Sequence, residues 1–147
     1  MMEELSNYLE RIQSAFQITL QKMQPKMIES MNENGVTPTQ FYVLIYLYKQ
    51  GSCKISELAE YMGVKPSAVT FMIDRLEQNN FVVREHDKKD RRVVNISLST
   101  EGQEKLNTVI HARKVIAEKF LSYLSEDELA HFALIAEKLA EATTKEN

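Results

Sequence analysis

Between Ile55 and Thr100 the sequence ISELAEYMGVKPSAVTFMIDRLEQNNFVVREHDKKDRRVVNISLST changes its periodicity in a fixed order. Ile55–Met62 places Ile55, Leu58, Ala59 and Met62 on one face at helical spacing. Gly63 permits a sharp turn, and Pro66 suits the first position of a second helix, where a missing N–H costs nothing. That second helix is predicted to reach about Asn79, with Val69, Ile73 and Leu76 facing inward and Met72 beside them. Asn79-Asn80 breaks it. Phe81–His86 and Arg92–Leu98 then alternate and are rich in β-branched residues, which predicts two strands joined by a hairpin loop, Asp87–Arg91. Helix, tight turn, helix and hairpin is the order of a winged helix-turn-helix. In that architecture the second helix enters a DNA groove.

The flanks are long and amphipathic. From Glu3 to about Asn34, apolar residues recur at Leu5, Tyr8, Leu9, Ile12, Phe16, Leu20, Met23, Met27 and Met31, a helical stripe. Pro25 interrupts it and predicts a kink or break near Met23–Gln24. Gly35 is placed to cap this helix in a left-handed conformation. Thr37-Pro38-Thr39-Gln40 has the residues of a capping box for a broadly apolar helix carrying Phe41, Leu44, Ile45, Leu47 and Tyr48. Ser99 caps a long helix from Thr100 to about Tyr123. Ser125–Glu128 opens a last one to about Ala142, with Leu129, Phe132, Ala133, Ile135, Ala136 and Leu139 inward and the end ATTKEN frayed. One stripe as long as the first helix has too little partner surface in so short a chain, so a second subunit is expected to cover it. The fold expected is mainly α with a small β-hairpin wing. It is a single domain over 1–147, with dimerisation helices at 1–36 and 100–147 around a winged helix-turn-helix lobe at 37–99.

Bulk properties narrow the function. No apolar run approaches membrane-spanning length, and the N-terminus lacks the basic and apolar regions of a signal peptide. Cys53 stands alone, so no intramolecular disulfide forms and a cytoplasmic location is expected. The net charge of −3 argues weakly against a nucleic-acid partner. Its distribution points the other way: Lys65–Arg92 holds seven basic and five acidic residues, a local +2, leaving −5 for the rest. A locally basic face on an acidic body suits phosphate without indiscriminate binding. His86, His111 and His131 are far apart, and no Cys or acidic cluster has metal-ligand spacing, so neither metal nor cofactor is assigned. No Gly-rich phosphate loop, nucleophile elbow or triad is present, so no catalysis is expected.

These stretches resemble the MarR (multiple antibiotic resistance regulator) family over nearly the whole chain. TPTQFYVLIYL is similar to the family's second helix, ISELAEYMGVKPSAVTFMIDRLEQNNFVVRE to its helix-turn-helix, and DKKDRRVVNISLSTEG to its wing and the start of its fifth helix. The resemblance implies a triangular winged-helix homodimer joined through its first, fifth and sixth helices. It also implies repression by covering a promoter pseudo-palindrome, often with release by a small phenolic or other apolar effector. Three residues depart from the pattern. Phe71 stands where Arg is frequent, Lys54 where a capping Thr is common, and Asn80 where Gly is usual. Asn tolerates the same left-handed conformation. The first helix lacks the cysteine that thiol-sensing members use.

Each candidate residue has a plainer reading beside the functional one. Arg91 and Arg92, with Lys88 and Lys89, either approach the minor groove and backbone or make an ordinary solvated turn. Asp90 is read as orienting Arg92, because an acid cannot itself favour phosphate. Ser67 and Thr70 suit phosphate or base-edge bonds, with Ala68 beside them, or are simple helix surface. Lys65 is placed to meet phosphate. Arg75 either reaches phosphate or pairs with Asp74 or Glu77. Phe71 either packs against the wing or meets a thymine methyl. Cys53 is read as a small buried residue in preference to a redox sensor. Phe16, Met23, Met27, Tyr46 and His111 are a candidate effector pocket, with plain core or dimer interface as the alternative. The competing function is a winged-helix protein-interaction module whose basic loop binds an acidic partner.

Overall fold

The computed structural model describes residues 1–145. Helix α1 (Met2–Glu33) is followed by α2 (Pro38–Gln50), the short strand β1 (Ser52–Lys54), α3 (Ile55–Met62) and α4 (Pro66–Gln78). The hairpin β2 (Val82–His86) and β3 (Val94–Leu98) precedes α5 (Thr100–Leu121) and α6 (Glu126–Thr144). The strands form one antiparallel sheet in the order β1-β3-β2. Val82 faces Leu98 at one end of the hairpin and His86 faces Val94 at the other.

Local chemistry sets most boundaries. At the end of α1 the Val36 N–H donates to the Met31 carbonyl and the Gly35 N–H to Asn32, with Gly35 at φ 75°. That paired closure needs a residue that tolerates positive φ. Thr37 and Gln40 then form the expected capping box: the Gln40 N–H donates to Thr37 Oγ1 at 3.1 Å and the Thr37 N–H to Gln40 Oε1 at 3.0 Å. Ser125 and Glu128 do the same for α6. Asn80 adopts φ 61°, the left-handed conformation expected where it replaces glycine. At α3 only half a box forms. Glu57 accepts from the Lys54 N–H at 3.5 Å, and Lys54 has no side-chain oxygen to return the bond.

The core lies in the central lobe. Leu44 and Leu47 of α2, Leu58 of α3, Val69, Ile73 and Leu76 of α4, and Ile96 of β3 are sealed from solvent. Met31 from α1 and Leu106 and Val109 from α5 join the same cluster, so the long helices are rooted in it. Ser99 ties hairpin to helix. Its Oγ accepts from the Gly102 N–H at 2.9 Å, and its hydroxyl donates to the Asn80 carbonyl. Gly102 lies so close to strand entry that a Cβ there would sit 1.9 Å from the Phe81 carbonyl oxygen. The space, and not the backbone angle, demands glycine.

Four expectations need correction. Helix α1 does not break at Pro25. Proline removes one donor, and the Gln21 carbonyl that loses its partner lies on an exposed stretch where water can satisfy it. The sheet has three strands instead of two, because Ser52–Lys54 pairs with Ser97–Asn95. Phe81 and Arg92-Val93 lie outside the strands, since a turn closed by Val93 N–H to the Asp90 carbonyl takes up the β3 end. Finally, Phe132, Ala133, Ile135, Ala136 and Leu139 of α6 are exposed in the single protomer, with Leu129 half-buried. A helical stripe records that a face is apolar but not which molecule covers it. For the frayed end expected over 142–147, α6 holds to Thr144 and residues 146–147 lie outside the described residues.

Candidate nucleic-acid interface

The outer face of α4 carries Ser67, Ala68, Phe71 and Arg75, all exposed, with Lys65 exposed just before the helix. The inner face is held by Val69, Ile73 and Leu76. Ser67 and Ala68 lie in the first turn, where the helix dipole favours an anion, although Pro66 has no N–H and the Ala68 N–H already donates to the Lys65 carbonyl at 3.0 Å. Thr70 is half-buried, and its hydroxyl donates to the Pro66 carbonyl at 3.0 Å. Its proton is therefore committed within the helix. What remains is an acceptor, suited to a base amino group and unsuited to phosphate.

The wing is organised by Asp87. Its carboxylate accepts from the Lys89 N–H at 2.8 Å, the Asp90 N–H at 3.3 Å and the Asn95 side chain at 3.3 Å. These bonds, led by the Lys89 N–H, hold its pKa below the usual carboxylate range. His86 Nδ1 donates to the Arg91 carbonyl at 2.9 Å from the other side. On this frame Asp90 Oδ1 accepts from both the Arg92 N–H at 3.1 Å and its Nε at 3.2 Å, while Oδ2 accepts from Nη2 at 3.4 Å. The expected Asp90–Arg92 contact is present, with the Arg92 side chain 92% exposed. Lys88, Lys89 and Arg91 surround it on the exposed tip.

Sequence reasoning missed Arg84. From β2 it pairs with Asp74 through Nη2 and with Glu77 through Nε at 3.3 Å. The Nε–H is enclosed and points off the Glu77 oxygen, so the second contact is an ion pair without a hydrogen bond. Arg84 joins the outer helix to the wing and takes both acids that had been offered to Arg75. Two carboxylates three residues apart on one helix face, followed by an arginine in the next strand, were the available signal. Arg75 instead lies over the Phe71 ring, its guanidinium carbon 4.8 Å from the centroid. Phe71 is not packed against the wing. It is 59% exposed.

Of the five candidate pocket residues, Phe16 and Tyr46 lie in different aromatic contacts. Phe16 meets Phe132 at 6.5 Å between ring centroids, and Tyr46 meets Tyr61 at 4.2 Å. Phe16 is eleven residues from Met27 along α1, roughly 16 Å. His111 is exposed on α5, and Met23 and Met27 are half-buried. An open recess between α1 and α5 is lined by other residues, including Lys26, Ser30, Ala112 and Ile116. Cys53 is buried in β1, and burial pushes its thiol up to about 11. A thiol so protonated is a poor nucleophile.

Comparison with known proteins agrees with this geometry. Residues 36–94 match the model of the MarR family. The chain is 50% identical to the HTH-type transcriptional repressor MdtR of Bacillus subtilis, covering 96% of this chain and 91% of that protein. The chain belongs to the MarR family. Among other relatives of this MarR-family protein, the B. subtilis HTH-type regulator YkoM is 39% identical, over 76% of this chain and 72% of its own. The crystal structure of B. subtilis YusO superposes with a TM-score of 0.83 at 50% identity, covering 93% of this chain and 97% of that one. The protein is thus a MarR-type transcriptional regulator built on a winged helix-turn-helix. Among the described residues no helix is long and apolar enough to cross a membrane.

Proposed function

We propose that the protein is a homodimeric repressor that reads a pseudo-palindromic duplex site. The observation that carries this reading is the pairing of two presented elements on one rigid lobe. Helix α4 exposes Lys65, Ser67, Ala68, Phe71 and Arg75, with the Thr70 acceptor beside them. The wing exposes Lys88, Lys89, Arg91 and an Arg92 aimed by Asp90. Arg84 spans the two and pairs with Asp74 and Glu77, offsetting part of the negative charge that would repel phosphate at this face. Repression is supported by the 50% identity to a transcriptional repressor.

Dimerisation is supported by the exposed apolar residues of α1, from Leu5 to Leu20, and of α6, from Phe132 to Leu139. The segments 1–36 and 100–147 would associate, and the 37–99 lobes would meet successive major grooves about 34 Å apart. A small apolar or phenolic effector would act by favouring a dimer with a different lobe spacing.

Titration of a bound duplex at fixed salt tests the wing. Arg92→Ala is expected to weaken binding by about 1–3 kcal/mol, and unchanged affinity would remove the wing from the interface. The wild-type salt response should be steep, with each neutralised phosphate adding roughly 0.9 to the log–log slope. A flat response would instead favour a protein-binding module.

A further inference from the structure

The Phe71–Arg75 pair stands apart from the rest of α4. A phenylalanine 59% exposed on a helix surface has no core to fill. Its described ring contact is the Arg75 guanidinium, one helical turn on. Arg75 makes no ion pair among the described residues, although Asp74 and Glu77 are its sequence neighbours, because Arg84 holds both carboxylates. Arg75 is therefore left without an acidic partner among the described residues, with its guanidinium carbon over an aromatic ring.

We infer that Phe71 and Arg75 form a single base-reading unit that specifies a thymine beside a guanine in each half-site. The inference rests on the DNA-reading function proposed above. Phe71 supplies an apolar surface for the thymine C5-methyl, the one apolar feature among the base edges of the major groove. The cation–π contact restrains the guanidinium, so less freedom is lost when its fork meets the guanine O6 and N7 acceptors. The order along α4 fixes the order of the bases. Phe71 lies nearer the helix N-terminus and Arg75 four residues, about 6 Å, further on, which is between one and two base-pair steps of about 3.4 Å. The long arginine side chain spans the difference.

The test uses the full-length protein and a duplex selected from a random pool. Each thymine of the half-site is replaced in turn by deoxyuridine, which removes only the methyl group. Each guanine is replaced by 7-deazaguanine, which removes only N7. For the wild type, one deoxyuridine position should weaken binding about fourfold per half-site, the worth of one apolar carbon. The adjacent 7-deazaguanine should weaken it as well. In Phe71→Ala the deoxyuridine effect should vanish, and the variant should fold because the ring is exposed. Phe71→Leu should keep the methyl effect, since an apolar surface remains, but lose part of the guanine effect with the stack. Comparing each base change in wild type and variant isolates the pairwise coupling from changes in duplex flexibility. Insensitivity of the wild type to every deoxyuridine would overturn the inference. So would a deoxyuridine effect of equal size in Phe71→Ala. Both results leave DNA binding intact, whereas a pool that yields no bound duplex would overturn the DNA-reading function together with this unit.

Discussion

In α4 the apolar residues Val69, Ile73 and Leu76 are wholly buried, whereas in α6 Ile135 and Leu139 stand 59% and 64% exposed. The two helices have the same kind of amphipathic stripe and opposite fates. Helix α4 has α3 and the hairpin packed against its inner face, and its stripe is consumed by the fold of the protomer. Helix α6 and the N-terminal half of α1 run out past the lobe with their stripes uncovered. The first region is a finished structure. The second has no cover within the protomer, and in the proposed dimer a second copy presenting the same two helices would supply it with closed two-fold symmetry.

The largest expected effect would break this contrast if it failed. Leu44→Ala should cost about 2–5 kcal/mol in chemical denaturation, through lost burial and a cavity in the lobe, at any protein concentration. Leu139→Ala should instead lower stability in proportion to the weakened association, so its midpoint should shift with concentration. If Leu139→Ala destabilised as strongly and without concentration dependence, α6 would belong to the protomer fold.

Gly102→Ala comes next. Its Cβ would meet the Phe81 carbonyl at 1.9 Å, against backbone that cannot swing aside like a side chain. A loss of about 1–3 kcal/mol is expected, measured by thermal unfolding. A neutral result would mean that the junction of hairpin and α5 is loose.

The smallest effect concerns the wing and sharpens the comparison within the lobe. Asp87 is held below the ordinary carboxylate pKa by bonds to its anion. Its contribution is therefore complete above the unfolded value, about 3.9, and is lost as pH falls through the lower folded value. Chemical shifts of residues 87–93 should titrate in that acid window while those of α4 stay still. In Asp87→Ala the wing response should disappear, and an unchanged response would assign the titration to another group.

Much of the lobe was legible in the chain because its signals are local. Gly63, with φ 65°, Pro66 at the start of α4 and the alternating strands each report on their own few residues. The inward set Val69, Ile73 and Leu76 followed from spacing alone. The three residues of β1 were not legible, because so short a strand has no alternation to detect and exists through its pairing with β3. The Arg84 bridge was missed for a related reason: ten positions separate Arg84 from Asp74, and only the fold brings them together. The candidate pocket rested on helical faces without helix placement, which is why it joined Phe16 and Tyr46, two residues in different aromatic contacts. Phe71 was noted as a departure from the pattern, yet its contact with Arg75 was overlooked, although i,i+4 spacing allowed it.

In the proposed assembly two copies join through their exposed helices so that two α4 surfaces read one duplex. Selection of bound duplexes from a random pool at physiological salt tests it most directly. A homodimer of this kind should enrich an inverted repeat with half-site centres about 10 base pairs apart, one DNA turn. Enrichment of a single unrepeated site, or of no sequence at all, would contradict it.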